Sequence, residues 1–203
     1  MAKDPMKPQL WTPRPVEETV QVYRDWAGTY DDDVVGRGYE TPRRMAGLLA
    51  RHLAPDAVVL DFGCGTGISG AALSAAGFAT IDGTDITDAM VEQAHGKGIY
   101  RKLWVGAPGA IPAKPGTYDA IVAAGVISLG AAPPETLGQL IDATSPGAFI
   151  VLSFNDPTLE DGSHDAYLDR SIADGQLELI LRSHGPHLRD MDMGSDVILL
   201  RRT

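Results

Sequence analysis

The sequence predicts an α/β fold built on a mostly parallel sheet that ends in an antiparallel pair of strands. Three observations carry this. Short apolar runs alternate with helix-length segments from residue 57 to residue 174, the rhythm of βαβ units. The first run, Ala57-Val58-Val59-Leu60-Asp61-Phe62, is continuous rather than alternating, as in a strand buried on both faces. The last two strand-like segments, 177–183 and 197–201, have no helix between them and should pair antiparallel at one edge. At about 150 residues per domain, 203 residues make one domain with at most a small appendage.

From the N-terminus, residues 1–15 hold Pro5, Pro8, Pro13 and Pro15 without an apolar period, which predicts an extended or disordered arm. Residues 16–203 form the single domain, helical over 16–54 and carrying the sheet over 57–203. Val16, Val20, Tyr23, Ala27 and Tyr30 recur at helical spacing, with Trp26 beside them. Glu17 and Glu18 suit the N-terminus of that helix, whereas Asp31, Asp32 and Asp33 would oppose its negative end and fray it. Thr41-Pro42 reads as an N-cap and N1 proline opening a second helix, through Met45, Leu48, Leu49 and Leu53, that stops before Pro55. Strands then follow at 57–62, 78–84, 100–105, 118–124 and 148–154, with helices at 68–77, 87–95, 133–143 and 163–174.

The balance of 17 Lys+Arg against 27 Asp+Glu gives a net charge of −10, which opposes duplex nucleic acid as the main partner. A small-molecule partner is the expectation that remains. No stretch approaches the ~18 apolar residues of a transmembrane helix, and the N-terminus lacks the apolar segment of a secretory signal. The lone Cys64 cannot form an internal disulfide, which agrees with a reducing, cytoplasmic location.

The chemistry concentrates in Asp61-Phe62-Gly63-Cys64-Gly65-Thr66-Gly67, directly after the first buried strand. Alternating glycines remove Cβ atoms where a ligand must touch backbone, and the next helix offers unpaired N–H groups. In an open α/β sheet this crevice at the strand ends is the ligand site. Residues 65–70 also match the dinucleotide fingerprint G-x-G-x-x-G, but the frame begins two residues after the first glycine, Gly63. Asp61 at the strand end would repel a diphosphate and suits a ligand carrying an ammonium. S-adenosylmethionine has an ammonium, a cationic sulfonium and no phosphate. Asp85, 18 positions after Gly67, stands where a carboxylate accepts hydrogen bonds from both ribose hydroxyls, with Ile86 and Met90 toward the adenine.

The segments 59–67, Asp85 and Tyr118-Asp119-Ala120-Ile121-Val122 closely resemble the class I S-adenosylmethionine-dependent methyltransferases. Segments 22–31, Gly77-Phe78, 82–85 and Lys97-Gly98-Ile99-Tyr100 resemble more closely the small bacterial proteins like the Williams–Beuren syndrome region methyltransferase. The resemblance implies a Rossmann-like sheet of order 3-2-1-4-5-7-6, with strand 7 antiparallel and helices on both faces. It also implies that Asp61, Gly63, Cys64 and Gly65 line the methionine end and Asp85 and Ile86 the ribose and adenine. Ala124 and Gly125 pass beneath the cofactor, and Tyr23, Trp26 and Tyr30 belong to a helical lid. Two positions depart from the pattern: Gly106-Ala107-Pro108 lacks the acid that holds the adenine amino group, and Ala131 stands where relatives carry a histidine.

Other readings compete. A module that binds the cofactor without turnover, or an NAD-type oxidoreductase, would share the glycine turn. Cys64 fits a small-residue position better than a nucleophile. Tyr23 and Trp26 could simply pack. His184, His187, Asp190 and Asp192 fall in a presumed loop between the last strands, and no metal site is expected from them. Asn155 and Asp156 read equally as substrate-side residues or as loop punctuation before Pro157. No residue stands out as a general base.

Overall fold

A computed structural model describes residues 8–111 and 113–203 of the chain. The first seven residues of the expected arm lie outside that range, and Pro8–Trp11 form a 3-10 turn. Seven strands form one sheet: β1 (Val58–Phe62), β2 (Thr80–Asp85), β3 (Lys102–Val105), β4 (Ala120–Ala123), β5 (Phe149–Asn155), β6 (Leu177–Leu188) and β7 (Met193–Arg202). Their order is β3-β2-β1-β4-β5-β7-β6. β1 to β5 pair in parallel, and β7 runs antiparallel to both β5 and β6. This is the order that the resemblance implied.

The helices are α1 (Val16–Trp26), α2 (Tyr30–Val35), α3 (Thr41–Leu49), α4 (Ile68–Ala75), α5 (Asp88–Gly96), α6 (Thr136–Ala143), α7 (Asp156–Asp161) and α8 (Ser163–Ala173). Strand side chains alternate between faces, so each strand feeds two cores. Leu60, Ile121, Ile150 and Leu152 pack with Leu137, Leu140 and Ile141 of α6 and Leu168 of α8. Val59, Val122 and Val151 pack on the other side with Met45 and Leu49 of α3 and Leu73 of α4. Double-sided burial is why β1, β4 and β5 read as continuous apolar runs. Trp26, Val34 and Leu188 form a third, smaller cluster, with Tyr23, Tyr30 and Tyr39, that seats the N-terminal helices on the C-terminal hairpin.

The structure departs from the sequence expectations at four places. The first helix does not run on to fray at its acids: it ends at Trp26, and Asp31, Asp32 and Asp33 occupy the first turn of α2, where the helix dipole favours them. Asp33 also accepts from Trp26 Nε1 at 2.7 Å and from Thr29 Oγ1 at 3.0 Å across the break. Thr41 does not cap α3, because Glu40 precedes the helix and the buried Thr41 hydroxyl lies 2.8 Å from both His187 Nδ1 and Ser195 Oγ. Asn155 is not loop punctuation: its Oδ1 accepts from Thr158 N at 3.1 Å and caps α7. β6 continues past Ser183 through His184 and His187, with register shifts between Leu179/Leu181 and Pro186/Leu188. An edge strand tolerates a proline, which needs no inward N–H. Among the described residues no group of His, Cys, Asp and Glu is placed to hold a metal.

Candidate active site

The β1–α4 turn is built from glycine for steric reasons at two levels. Gly63, Gly65 and Gly67 have φ of 67°, 54° and 92°, the left-handed region that other residues avoid. A Cβ on Gly63 would also collide with the side chain of Val126. Cys64 N donates to Thr84 O at 2.9 Å, tying the turn to β2.

Asp61 is fully buried. Its Oδ2 accepts from Ser69 Oγ and Tyr100 Oη, each at 2.7 Å. Its Oδ1 is buried without a hydrogen bond. Burial pushes the carboxyl up to about 6, against the pull of the Ser69 and Tyr100 hydrogen bonds. The Tyr100 ring fills the space beside Gly83, where a Cβ would come within 2.7 Å of it, and abuts Gly70 too. Tyr100 is thus a site residue to which sequence reasoning gave no role. Its signal was a glycine inside a strand and another inside a helix, each marking a close approach.

Behind this turn, a cavity of 640 Å³ opens between the C-terminal ends of β1, β2 and β4 and the helices α1 and α2. Gly63, Gly65, Asp85, Ile86, Met90, Ala124, Gly125 and Tyr30 border it. Asp61 and Cys64, expected at the methionine end, do not. Asp61 is turned toward Ser69 and Tyr100, and burial drives the Cys64 thiol far above its ordinary pKa, leaving it inert.

Asp85, at the end of β2, is held by backbone: Gly65 N donates to Oδ2 at 2.9 Å and Thr87 N to Oδ1 at 2.8 Å. Burial raises its pKa, and those donors oppose the rise. The Thr87 hydroxyl and the Ile86 N–H also favour its charged form. Gly106, Ala107 and Pro108 form the neighbouring wall, and Thr84 Oγ1 beside Gly106 is buried without a partner. Burial lifts the phenol of Tyr23 to about 12 and holds that of Tyr30 well above its usual value. Both phenols are protonated at neutral pH and so are able to donate.

His164 is a second residue that sequence reasoning missed. The departure noted at Ala131 removes a histidine after β4, yet α8 brings one back from the far side of β5. His164 is buried, borders the cavity, and places Nε2 3.3 Å from Ala132 O. A carbonyl only accepts, so Nε2 is the donor to Ala132 O, while Nδ1 lies 3.2 Å from Ser163 Oγ. Its place just after Gly162, at a helix start, was the available clue.

Comparison with known proteins decides the family. Residues 37–189 match the methyltransferase domain family. The chain belongs to the class I S-adenosylmethionine-dependent methyltransferases. The chain is 34% identical over 141 residues to human methyltransferase-like protein 27, covering 67% of this chain and 57% of that protein. It is 45% identical over 65 residues to the 18S rRNA (guanine-N(7))-methyltransferase of Bos taurus, covering 32% of this chain and 23% of that one. The chain thus spans 57% and 23% of the lengths of these curated relatives. Its fold is that of a putative methyltransferase solved with the Haloferax volcanii Trm112 activator, at TM-score 0.72, 17% identity, and coverage of 93% and 97%. These matches place the methyltransferase in its class without naming the Williams–Beuren subfamily.

Two of these findings correct an expectation. One relative is named for ribosomal RNA and one structural neighbour is a complex with a protein activator, so a small-molecule acceptor without nucleic-acid partners no longer follows. The net charge of −10 is a property of the whole chain and does not describe the surface around one cavity. No helix among the described residues is long and apolar enough to cross a membrane.

Proposed function

We propose that this methyltransferase binds S-adenosylmethionine in the 640 Å³ cavity and transfers the methyl group to an acceptor. Asp85 carries the reading. Its two oxygens, held by the Gly65 and Thr87 N–H groups, form a rigid acceptor pair suited to adjacent ribose hydroxyls. A carboxylate at that place disfavours a diphosphate, and the unpartnered Thr84 hydroxyl next to the cavity wall adds a free polar group.

Ile86 and Met90 offer apolar surface to an adenine, and the 106–108 backbone meets its amino edge in place of the missing acid. Gly63 and Gly65 bring bare backbone to the methionine end, while Ala124 and Gly125 pass underneath. Of the expected lid over 16–54, α1 and α2 cover the cavity and add Tyr23 and Tyr30, whereas α3 packs in the core beside Val59 and Leu73. Asp61 works through the turn, anchoring Ser69 and Tyr100, and Cys64 fills space. When bound, the cofactor supplies a methyl on a positive sulfur that an acceptor lone pair displaces directly. The protein's share is alignment and exclusion of water, worth up to roughly 7–11 kcal/mol in the best intramolecular cases. The single buried thiol suits a reducing compartment, on which we assign a cytoplasmic location.

Thermal denaturation tests the proposal. S-adenosylhomocysteine at a hundredfold excess over Kd is expected to stabilise the chain by about 2.7 kcal/mol. Asp85→Ala should weaken that ligand at least tenfold, about 1.4 kcal/mol, in calorimetric titration. A shift with NAD and none with S-adenosylhomocysteine would overturn the reading.

A further inference from the structure

Two of the segments that carried the family resemblance, 22–31 and 97–100, have no part in the cavity's ligand chemistry beyond Tyr23 and Tyr30. The fold brings them together on the glycine turn. Lys97, which follows the last residue of α5, donates from Nζ to Asp31 Oδ2 at 2.6 Å and to the Thr66 carbonyl at 2.6 Å. Thr66 donates its hydroxyl to Oδ1 of the same Asp31. One ammonium therefore ties α2, the glycine turn and the end of α5. Three residues on, Tyr100 holds Asp61 under the same turn.

The position of this tie gives it consequence. Asp31 follows Tyr30 in the chain and Thr66 follows Gly65, and Tyr30 and Gly65 both border the cavity. Thr66 also lies between two glycines with positive φ, and its carbonyl peptide is fixed twice, by Gly67 N donating to Cys64 O at 2.8 Å and by Lys97 Nζ donating to Thr66 O. Arg24–Asp88, at 3.0 Å, joins α1 to α5 as well, but its side chains are 46% and 62% exposed against 26% and 42% for Lys97 and Asp31. Water weakens the outer pair more.

We propose that Lys97 and Asp31 are positioning residues that hold the N-terminal helices against the glycine turn and so set the rate at which an S-adenosyl nucleoside leaves. The proposal rests on the cofactor reading above. A merely structural surface ion pair would shift stability and leave ligand release alone.

The test compares the full chain with Lys97→Met, the isosteric Asp31→Asn, and the double variant, with S-adenosylhomocysteine as the probe. Release is followed by stopped-flow tryptophan fluorescence, to which Trp26 in α1 is well placed. Each single variant is expected to speed release about five- to tenfold with little change in association, as for truncation of a partly buried charge pair. The double variant should be no faster than the singles, because both remove one coupled interaction. Raising NaCl from roughly 0.05 M to 0.5 M should speed release from the native chain and leave Lys97→Met unaffected. Additive effects, or release within twofold of the native chain, would overturn the proposal. A native chain that binds no S-adenosylhomocysteine would instead defeat the cofactor reading.

Discussion

Asp61 was expected to greet a cationic ligand, and the folded chain employs it one layer deeper. Its raised pKa has a definite sign. A carboxyl that titrates near 6 when folded and near 3.8 when unfolded stabilises the fold at low pH relative to neutral pH, and that stability is lost as pH rises through about 6. The difference amounts to about 3 kcal/mol at 1.36 kcal/mol per unit. His187 acts in the opposite direction. Burial lowers its pKa from 6.5 to about 4, so its contribution is present above 6.5 and lost as pH falls through 4. The two oppose each other in the native chain, and a variant must separate them. Asp61→Asn should be more stable than the native chain at pH 7, with the gap shrinking as pH is lowered to 4. A gap in melting temperature that ignores pH would refute the assignment.

At the scale of elements, the sharpest case is the junction after β5. Asn155, Asp156 and Pro157 look like loop punctuation, yet they open α7. Asn155 Oδ1 accepts from both Thr158 N and Thr158 Oγ1, and Thr158 Oγ1 accepts in turn from Leu129 N at 3.1 Å. The cap therefore couples α7 to the loop after β4, which borders the cavity. Asn155→Ala should cost about 1–2 kcal/mol, read as a lower urea midpoint at unchanged slope. An unchanged midpoint would show that the cap contributes nothing. The β6–β7 hairpin shows the same error: His184 and His187 read as loop residues, and the strand runs through both with a register shift between Pro186 and Leu188.

For the molecule as a whole, stability rests on two cores divided by the sheet, and Leu60 at its centre is fully buried. Leu60→Ala is expected to cost 2–5 kcal/mol, a cavity that neighbours on both sides of β1 cannot close. Equilibrium denaturation would measure it, and a loss below about 1 kcal/mol would mean that the core repacks freely.

Much of the sheet was legible because each strand and helix announces itself over a few residues. Ala57 to Phe62 shows double-sided burial, alternate glycines show a turn that must approach a ligand, and Asp85 falls at the distance where a second strand must end. These patterns are local, set by backbone hydrogen bonding, side-chain period and steric permission at φ, and the sequence by itself determined them. The tertiary structure alone decided that Tyr100 lies under Asp61, that His164 returns an imidazole to the loop after β4, and that Lys97 joins Asp31 to Thr66. Such contacts link residues 39, 32, 66 and 31 positions apart, and no periodicity encodes them. They exist only once burial of the two cores has met the entropy cost of bringing distant segments together.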